Sequence, residues 1–315
     1  MHDESAGSTR PVDAPWPAEL PATLAVALES ALSQDTGRRV AAFDFDNTTI
    51  SGDFGAQLHL ELSRGLHYAF DRSPGVWEAL ERCAEFERLE ATWSAWRAFG
   101  DHADADALAA DVAATFTRML ARHGAEATYR WAVTLHAGQS EAEVEALAAR
   151  VWGRLLEAPR EPVRLEAPDG TVLQWRHGLR RRPAIEALFR WLGDRGCEVW
   201  LVSLTHVWAL RAACGAIGVR PDRCIGQASE APGGVVSTRF VEPGTLGAGK
   251  VQSIERATGR RPLVAAGDSA NDHPMLEASE VAIWIDHGDD EARRHAESRG
   301  WHIVPAARLD VGAGV

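Results

Sequence analysis

Cysteine is scarce in this chain of 315 residues: there are four, Cys83, Cys197, Cys214 and Cys224, and no two form a CxxC pair. That excludes a disulfide framework and a zinc ribbon, and leaves free thiols in a core. Long apolar runs are missing as well, so nothing reads as a membrane-spanning helix. The first twenty residues carry Asp3, Glu4, Asp13 and Glu19 and no apolar stretch. No secretion signal is expected there, and the expected compartment is cytoplasmic. Basic excess is absent: 33 Lys and Arg face 45 Asp and Glu, a net charge of −12. With no basic tail or stripe, a nucleic-acid partner is not expected. An anionic small molecule stays open, because a metal ion can set the potential of a site.

What is present is an ordinary globular composition, 45% hydrophobic and 25% charged. Residues 1–16 mix polar residues with Gly and Pro and are expected to be disordered. Residues 18–34 read as a helix, and RRVAAFDFDNTT reads as a buried strand running into a polar loop. From about 59 to 158 the chain turns Ala-, Leu-, Glu- and Arg-rich with helical spacing, which predicts four or five helices. EAPDGTVLQWRHG then reads as two short strands about a turn. After about 183, strands and helices alternate: CEVWLVSL, VVSTRFVEP, RPLVAAGDS, VAIWID and WHIVPA are the expected strands. The fold class is therefore α/β, a mostly parallel, Rossmann-like sheet covered on both faces, interrupted by a helical insertion. The division expected is a core of residues 17–58 and 178–315 with a cap of residues 59–177. Such an insertion lies at the carboxyl ends of the strands, where open α/β sheets bind ligands.

Four polar groups follow successive strands or open helices in that core. Asp44 and Asp46 stand two apart after the first strand, and their repulsion calls for a cation or a shared proton. In AAGDSANDHPML, Asp268 and Asp272 add two acids, with Ser269 and Asn271 between them. Capping explains one polar residue there but not an acid at each end. Oxygen donors of this kind suit Mg²⁺. Ser203 and Thr205 follow the next strand, where a hydroxyl and a helix start make an anion pocket. Lys250 stands near a helix N-terminus, an unfavourable place for a lysine unless an anion faces it. Each group alone has an ordinary structural explanation. Together, in this order, they point to phosphoryl transfer.

The order DFDNT, Ser203, Lys250, GDSAND resembles the haloacid dehalogenase-like superfamily, over about residues 38–58 and 178–305. The resemblance implies an aspartyl-phosphate mechanism. Asp44 would be the nucleophile and Asp46 the acid/base. Ser203 would hold the phosphoryl group and Lys250 would steady nucleophile and phosphate. Mg²⁺ would be held by Asp44, the backbone carbonyl of Asp46, and Asp268, with Asp272 supporting that shell. Asn47 and Thr48 would shape the phosphate loop. An acid at position 46 favours phosphomonoesters over halides, because an alkoxide leaving group needs a proton. The helical insertion is similar to the cap of phosphoserine phosphatases, while DNTT and VSLTH look closer to phosphocholine and phosphoethanolamine phosphatases.

Substrate signals are fewer. Asp53 lies nine residues after Asp44, where phosphoserine phosphatases carry a Glu that contacts the substrate amine. A cap tryptophan, Trp77, Trp93 or Trp96, is a candidate for enclosing an ammonium group. Arg180, with Arg181 and Arg182 beside it, is a candidate contact for phosphate or a substrate carboxylate, although a solvated basic turn explains the run as well. His206 and His273 sit near the motifs and are given no catalytic role. The expected function is Mg²⁺-dependent hydrolysis of a small soluble phosphomonoester, preferably an amino-alcohol or amino-acid phosphate. The alternatives are a sugar phosphate or biosynthetic intermediate, phosphoryl transfer to an alcohol, and a binding protein that keeps the fold without turnover. No membrane partner is expected, and the twelve tryptophans suit a homodimer face as readily as a pocket.

Overall fold

The structure is a computed structural model that describes residues 14–65, 67–69, 72 and 105–310. Its centre is a six-stranded sheet, all of whose pairings are parallel, in the order β10-β9-β8-β1-β6-β7. The strands are β1 (Arg39–Phe43), β6 (Cys197–His206), β7 (Cys224–Gln227), β8 (Val264–Gly267), β9 (Val281–Asp286) and β10 (His302–Pro305). β1 is apolar from Val40 to Phe43 because it is covered on both faces, as strands of parallel sheets are. Ala41 and Phe43 join one core cluster, with Leu24 and Leu28 of α1 (Ala22–Gln34) and Ile185 and Leu188 of α5 (Pro183–Asp194). Val40 and Ala42 point to the other face, with Ile254 of α7 (Ala248–Thr258) and Met275 of α8 (His273–Glu277).

Register brings the polar strand ends together. Phe43 pairs with Leu201 on one side and Ala266 on the other. Asp44 therefore follows β1 at the level of Ser203, which lies inside β6, and of Asp268, which directly follows β8. The chain order reverses across β1, which makes this the sheet's switch point.

Between β1 and β6 lie the inserted elements. β2 (Ile50–Ser51) pairs antiparallel with β5 (Arg180–Arg181). Among the described residues the inserted helices are α2 (Phe54–Arg64), α3 (Ala105–Thr134) and α4 (Glu141–Glu157). α3 breaks at Gly124, whose φ of 78° no helix accommodates. α4 starts on a capping box between Ser140 and Glu143. The hairpin β3 (Pro162–Glu166) and β4 (Val172–Arg176) packs Leu165, Leu173 and Trp175 against Ala109, Ala110 and Ala113 of α3. Beyond β6 come α6 (Val207–Cys214), α9 (Asp290–Ser298) and α10 (Ala306–Leu309).

Two sequence expectations need correction. VVSTRFVEP, expected as an exposed or short strand, does not join the sheet; its ladder pairing is limited to the isolated bridges Ser140 to Val235 and Ser229 to Phe240, with scattered backbone hydrogen bonds such as Val236 N to Gln139 O at 2.8 Å. Its single β-branched run is too short for a sheet neighbour and instead straps the cap to the core. Residues 14–16 are ordered against the core: Ala14 N donates to Asp194 Oδ2 at 2.7 Å, and Trp16 meets Trp191 edge-on at 5.2 Å. The rest of the expected N-terminal disorder, most of the expected first cap helices, and Trp77, Trp93 and Trp96 lie outside the described residues. No helix among the described residues is long and apolar enough to cross a membrane.

Two glycines separate stability from site packing. Gly153 sits exposed in α4 with nothing near a Cβ placed there. Gly153→Ala is expected to stabilise the protein by about 0.8 kcal/mol in urea unfolding. At Gly267 a Cβ would stand 2.3 Å from Asp272 Cβ. Gly267→Ala is expected to cost about 1–3 kcal/mol; equal effects at the two positions would contradict this packing.

Candidate active site

A cavity of about 160 Å³ opens over the carboxyl ends of β1, β6 and β8. Asp44, Asp46, Asn47, Asp53, Ser203, Thr205, Lys250, Asp268 and Asn271 all line it, so most of the residues expected from sequence converge. Lys250 is buried, 1% exposed, and its Nζ donates to Asp44 Oδ1 at 2.6 Å and Asp272 Oδ1 at 2.5 Å. It is the only lysine in the chain. Burial lowers its proton affinity, but the two aspartates outweigh that and leave its pKa above the ordinary value.

The acids differ by what they bond. Asp272 Oδ2 accepts from Asp268 N, Ser269 N and Ser269 Oγ at 3.2, 3.0 and 2.9 Å. With Oδ1 on Lys250, that carboxylate shapes the loop through both of its oxygens. Asp268 Oδ1 accepts from Thr48 Oγ1 at 3.0 Å. Burial first, then the charge of Asp272, pushes the pKa of Asp268 up to about 7. Asp44 is raised well above the carboxylate range by burial, with Lys250 pulling it back and Asp272 and Asp268 pushing it further.

Asp46 faces the other way. Its Oδ1 accepts from Phe54 N and its Oδ2 from Thr205 Oγ1, both at 2.6 Å, with Ser203 Oγ at 3.5 Å from Oδ2. Burial, then the neighbouring charge of Asp53, raises its pKa well above the ordinary value, against those two hydrogen bonds. A shift in that direction favours the protonated carboxyl, the form a general acid needs.

Some expected residues take other parts. Thr205 spends its hydroxyl on Asp46, and its backbone N–H is likewise taken, donating to Ser203 Oγ at 3.0 Å. Thr48 is fully buried and orients Asp268. Asp53 caps α2 through Ala56 N at 2.8 Å while lining the cavity. Arg180 is not at the cavity: its Nη1 donates to the carbonyls of Leu179, Ala158 and Leu156 at 2.6, 2.9 and 3.3 Å. The alternation along β5 turns it toward the end of α4. His206 is buried at the start of α6, its ring stacked on Trp208 at 4.4 Å.

Sequence reasoning missed Tyr129 and Phe116 of α3, which line the cavity edge-on to each other at 5.6 Å, and His59 of α2. Their signal, a helical repeat, does not say which face meets a site. His287 was missed too; its Nε2 lies 3.1 Å from Asn47 O and 3.6 Å from Asp268 Oδ2. A carbonyl only accepts, so Nε2 carries the hydrogen. Its position directly after β9 was the available clue.

The fit to a metal rests on the donors. Oxygens of Asp44, Asp268 and Asp272 lie within 4.8 Å of one another, with no sulfur or imidazole ligand in the group. Hard oxygen donors in that number suit Mg²⁺. The carboxylate of Asp46 is not in the group, so only its backbone carbonyl is left for the metal role the resemblance gave it.

The family model for haloacid dehalogenase-like hydrolases matches residues 90–277, more than half of the chain. The chain belongs to the haloacid dehalogenase-like hydrolase family. That span holds Ser203, Lys250, Asp268 and Asp272, while Asp44 and Asp46 precede it and join them through the sheet. A conserved protein of unknown function from Anaerococcus prevotii superposes with a TM-score of 0.65 at 17% identity, over 91% of this chain and 92% of that one. A protein of unknown function from Bordetella pertussis superposes with a TM-score of 0.59 at 20% identity, over 86% and 100%. At these identities the likeness concerns the fold. No curated protein matches the sequence.

The carboxylate cluster predicts how metal and pH act on stability. Asp268 has a folded pKa of about 7, above an unfolded value of about 3.9. The folded metal-free protein then holds the proton more tightly, so its stability falls as pH rises from about 4 through about 7. With chelator present, the thermal midpoint is expected to drop between about pH 5 and about pH 8, and added Mg²⁺ to raise it more at the higher pH. A Mg²⁺ effect of equal size at both would contradict the cluster as the binding site.

Proposed function

We propose that the protein hydrolyses small phosphomonoesters with Mg²⁺ through an aspartyl-phosphate at Asp44, and that the alcohol released carries an ammonium group. The carrying observation is Lys250 bridging Asp44 and Asp272, with Asp46 held apart by Phe54 N and Thr205.

Asp44 Oδ1 is fixed by Lys250, and Oδ2 accepts no hydrogen bond from the described residues, so Oδ2 is the attacking atom. As the bond from Oδ2 to phosphorus forms, the bond from phosphorus to the ester oxygen breaks. Asp46 gives its proton to the departing alkoxide. It then takes a proton from water, which attacks phosphorus and frees Asp44. Ser203 Oγ and the Lys250 ammonium face the phosphoryl oxygens. Asp44 and Asp268 would hold Mg²⁺, whose positive charge would compensate those oxygens. The helices α2 and α3 shield the reaction from bulk water.

The charge of the cavity supports the choice of alcohol. Among the described residues its wall has four aspartates, Asp44, Asp46, Asp53 and Asp268, one lysine and no arginine. A phosphoryl group meets Lys250 and the metal, so the far end of the substrate faces Asp53, Tyr129 and Phe116. A carboxylate there finds no cation, whereas an ammonium finds an acid and aromatic rings. The small volume suits a short alcohol.

Phosphate release from a panel of phosphocholine, phosphoethanolamine, phosphoserine, sugar phosphates and nucleotides tests both levels. Mg²⁺-dependent turnover is expected, highest on the amino-alcohol esters, and Asp44→Asn is expected to lose about 10³-fold or more. A preference for sugar phosphates would overturn the ammonium reading alone. Binding without released phosphate would overturn hydrolysis.

Asp46→Asn has its own signature. Nitrophenolate leaves without a proton, so p-nitrophenyl phosphate is expected to give one burst per enzyme and then stall. Amino-alcohol esters are expected to give no burst. A burst of the same size from both substrates would remove Asp46 from the role of acid.

A further inference from the structure

Arg182 is fully buried, with 0% of its surface exposed, directly below the loop that carries Asp46 and Asn47. Its Nη1 donates to the carbonyls of Asn47 and Thr48, the latter at 2.9 Å. Its Nε donates to Asp310 Oδ1 at 3.0 Å, and Asp310 Oδ2 accepts from Ser51 Oγ at 3.1 Å. Asn47 has φ of 57°, the only positive φ among the described residues other than glycines. Such a conformation persists only where its surroundings fix it. Here Asn47 N donates to Gly52 O at 3.0 Å, and Asn47 O takes hydrogens from both Arg182 and His287.

We infer that Arg182, anchored by Asp310, is a positioning residue that holds the turn between Asp46 and Thr48 and through it sets the placement of Asp46 and Asp268. The inference rests on the proposed hydrolysis for its kinetic reading. The connection is continuous: Asp310 holds the guanidinium, the guanidinium holds two consecutive carbonyls, and the Thr48 hydroxyl holds Asp268 Oδ1. β5 delivers the arginine, because its pairing with β2 fixes Arg181 opposite Ile50, three residues past Asn47. Only a planar fork reaches acceptors on both sides; a lysine ammonium at the same place serves one set. Arg182 touches neither the cavity nor any of the three clustered acids, so it acts through the backbone.

The test uses Arg182→Met, Arg182→Lys and Asp310→Asn in the full chain. Two readouts are compared with the parent: kcat and KM on the best substrate of the panel, and hydrogen exchange at the amides of Asn47 and Gly52. Arg182→Met is expected to lose about 10²-fold in kcat with KM within about threefold, as a misplacement of about an ångström does. Its Asn47 and Gly52 amides are expected to exchange faster, while those of β8 keep their protection. Arg182→Lys is expected to recover part of kcat, and Asp310→Asn to show both effects at smaller amplitude. Parent-like kcat and exchange in Arg182→Met would overturn the inference, as would a rise in KM alone. If Arg182→Met does not fold, parent-like values in both of the other variants overturn it. If the parent releases no phosphate, the hydrolysis reading fails, and exchange still decides whether Arg182 holds the turn.

Discussion

One ammonium group, Lys250 Nζ, sits between Asp44 and Asp272 in a site with almost no access to water. Burying these carboxylates without a cation would cost several kcal/mol each or leave them protonated and inert. The lysine makes the charge of Asp44 tolerable and leaves its second oxygen free. Every other side-chain cation of the chain outside the histidines is an arginine. The difference is physical: a compact ammonium fits between two carboxylates, where a planar fork would demand more acceptors and more room. The fold supplies the place for it, since α7 reaches the site from one face of the sheet while β1 and β8 present the acids edge to edge.

Around that contact the site is divided by environment. Asp44, Asp268 and Asp272 gather on the side of β8, facing Lys250 and the expected metal. Asp46 is turned toward α2 and β6, where burial and Asp53 favour its protonated form. Two carboxylates two residues apart thus come to face different partners, Asp44 an ammonium group and Asp46 an amide and a hydroxyl, because the tight turn at Asn47 separates their surroundings. α2 serves both halves: its first amide anchors Asp46, and its body roofs the cavity with α3.

The parallel sheet and the acids at its edge were legible because a strand buried on both faces reads as an unbroken apolar run, and polar residues directly after it must lie at the sheet's end; the order of the strands was not. Val40 to Phe43 followed by Asp44, and Leu263 to Gly267 followed by Asp268, carry that pattern. The roof was less legible. Tyr129 and Phe116 lie on a long helix whose break at Gly124 changes which face meets the core, and a repeat cannot register such a break. Three consecutive arginines look alike in sequence, yet the pairing of β5 with β2 sends Arg180 to the end of α4 and buries Arg182 under the loop of Asp46 and Asn47. VVSTRFVEP looked like a strand because β-branched residues favour extended backbone, which is also what a strap over the cap requires.

The chemistry of Asp44 decides the mechanism most directly. Enzyme mixed with its best phosphomonoester and Mg²⁺, quenched in acid within one turnover and mapped by peptide mass spectrometry, reads that chemistry. The prediction is one phosphoryl group on the peptide containing Asp44, at the acyl position of that residue, and none in the Asp44→Asn protein. Phosphate released at full rate with no phosphorylated peptide, or with the phosphoryl group on Ser203 or Thr205, would contradict it.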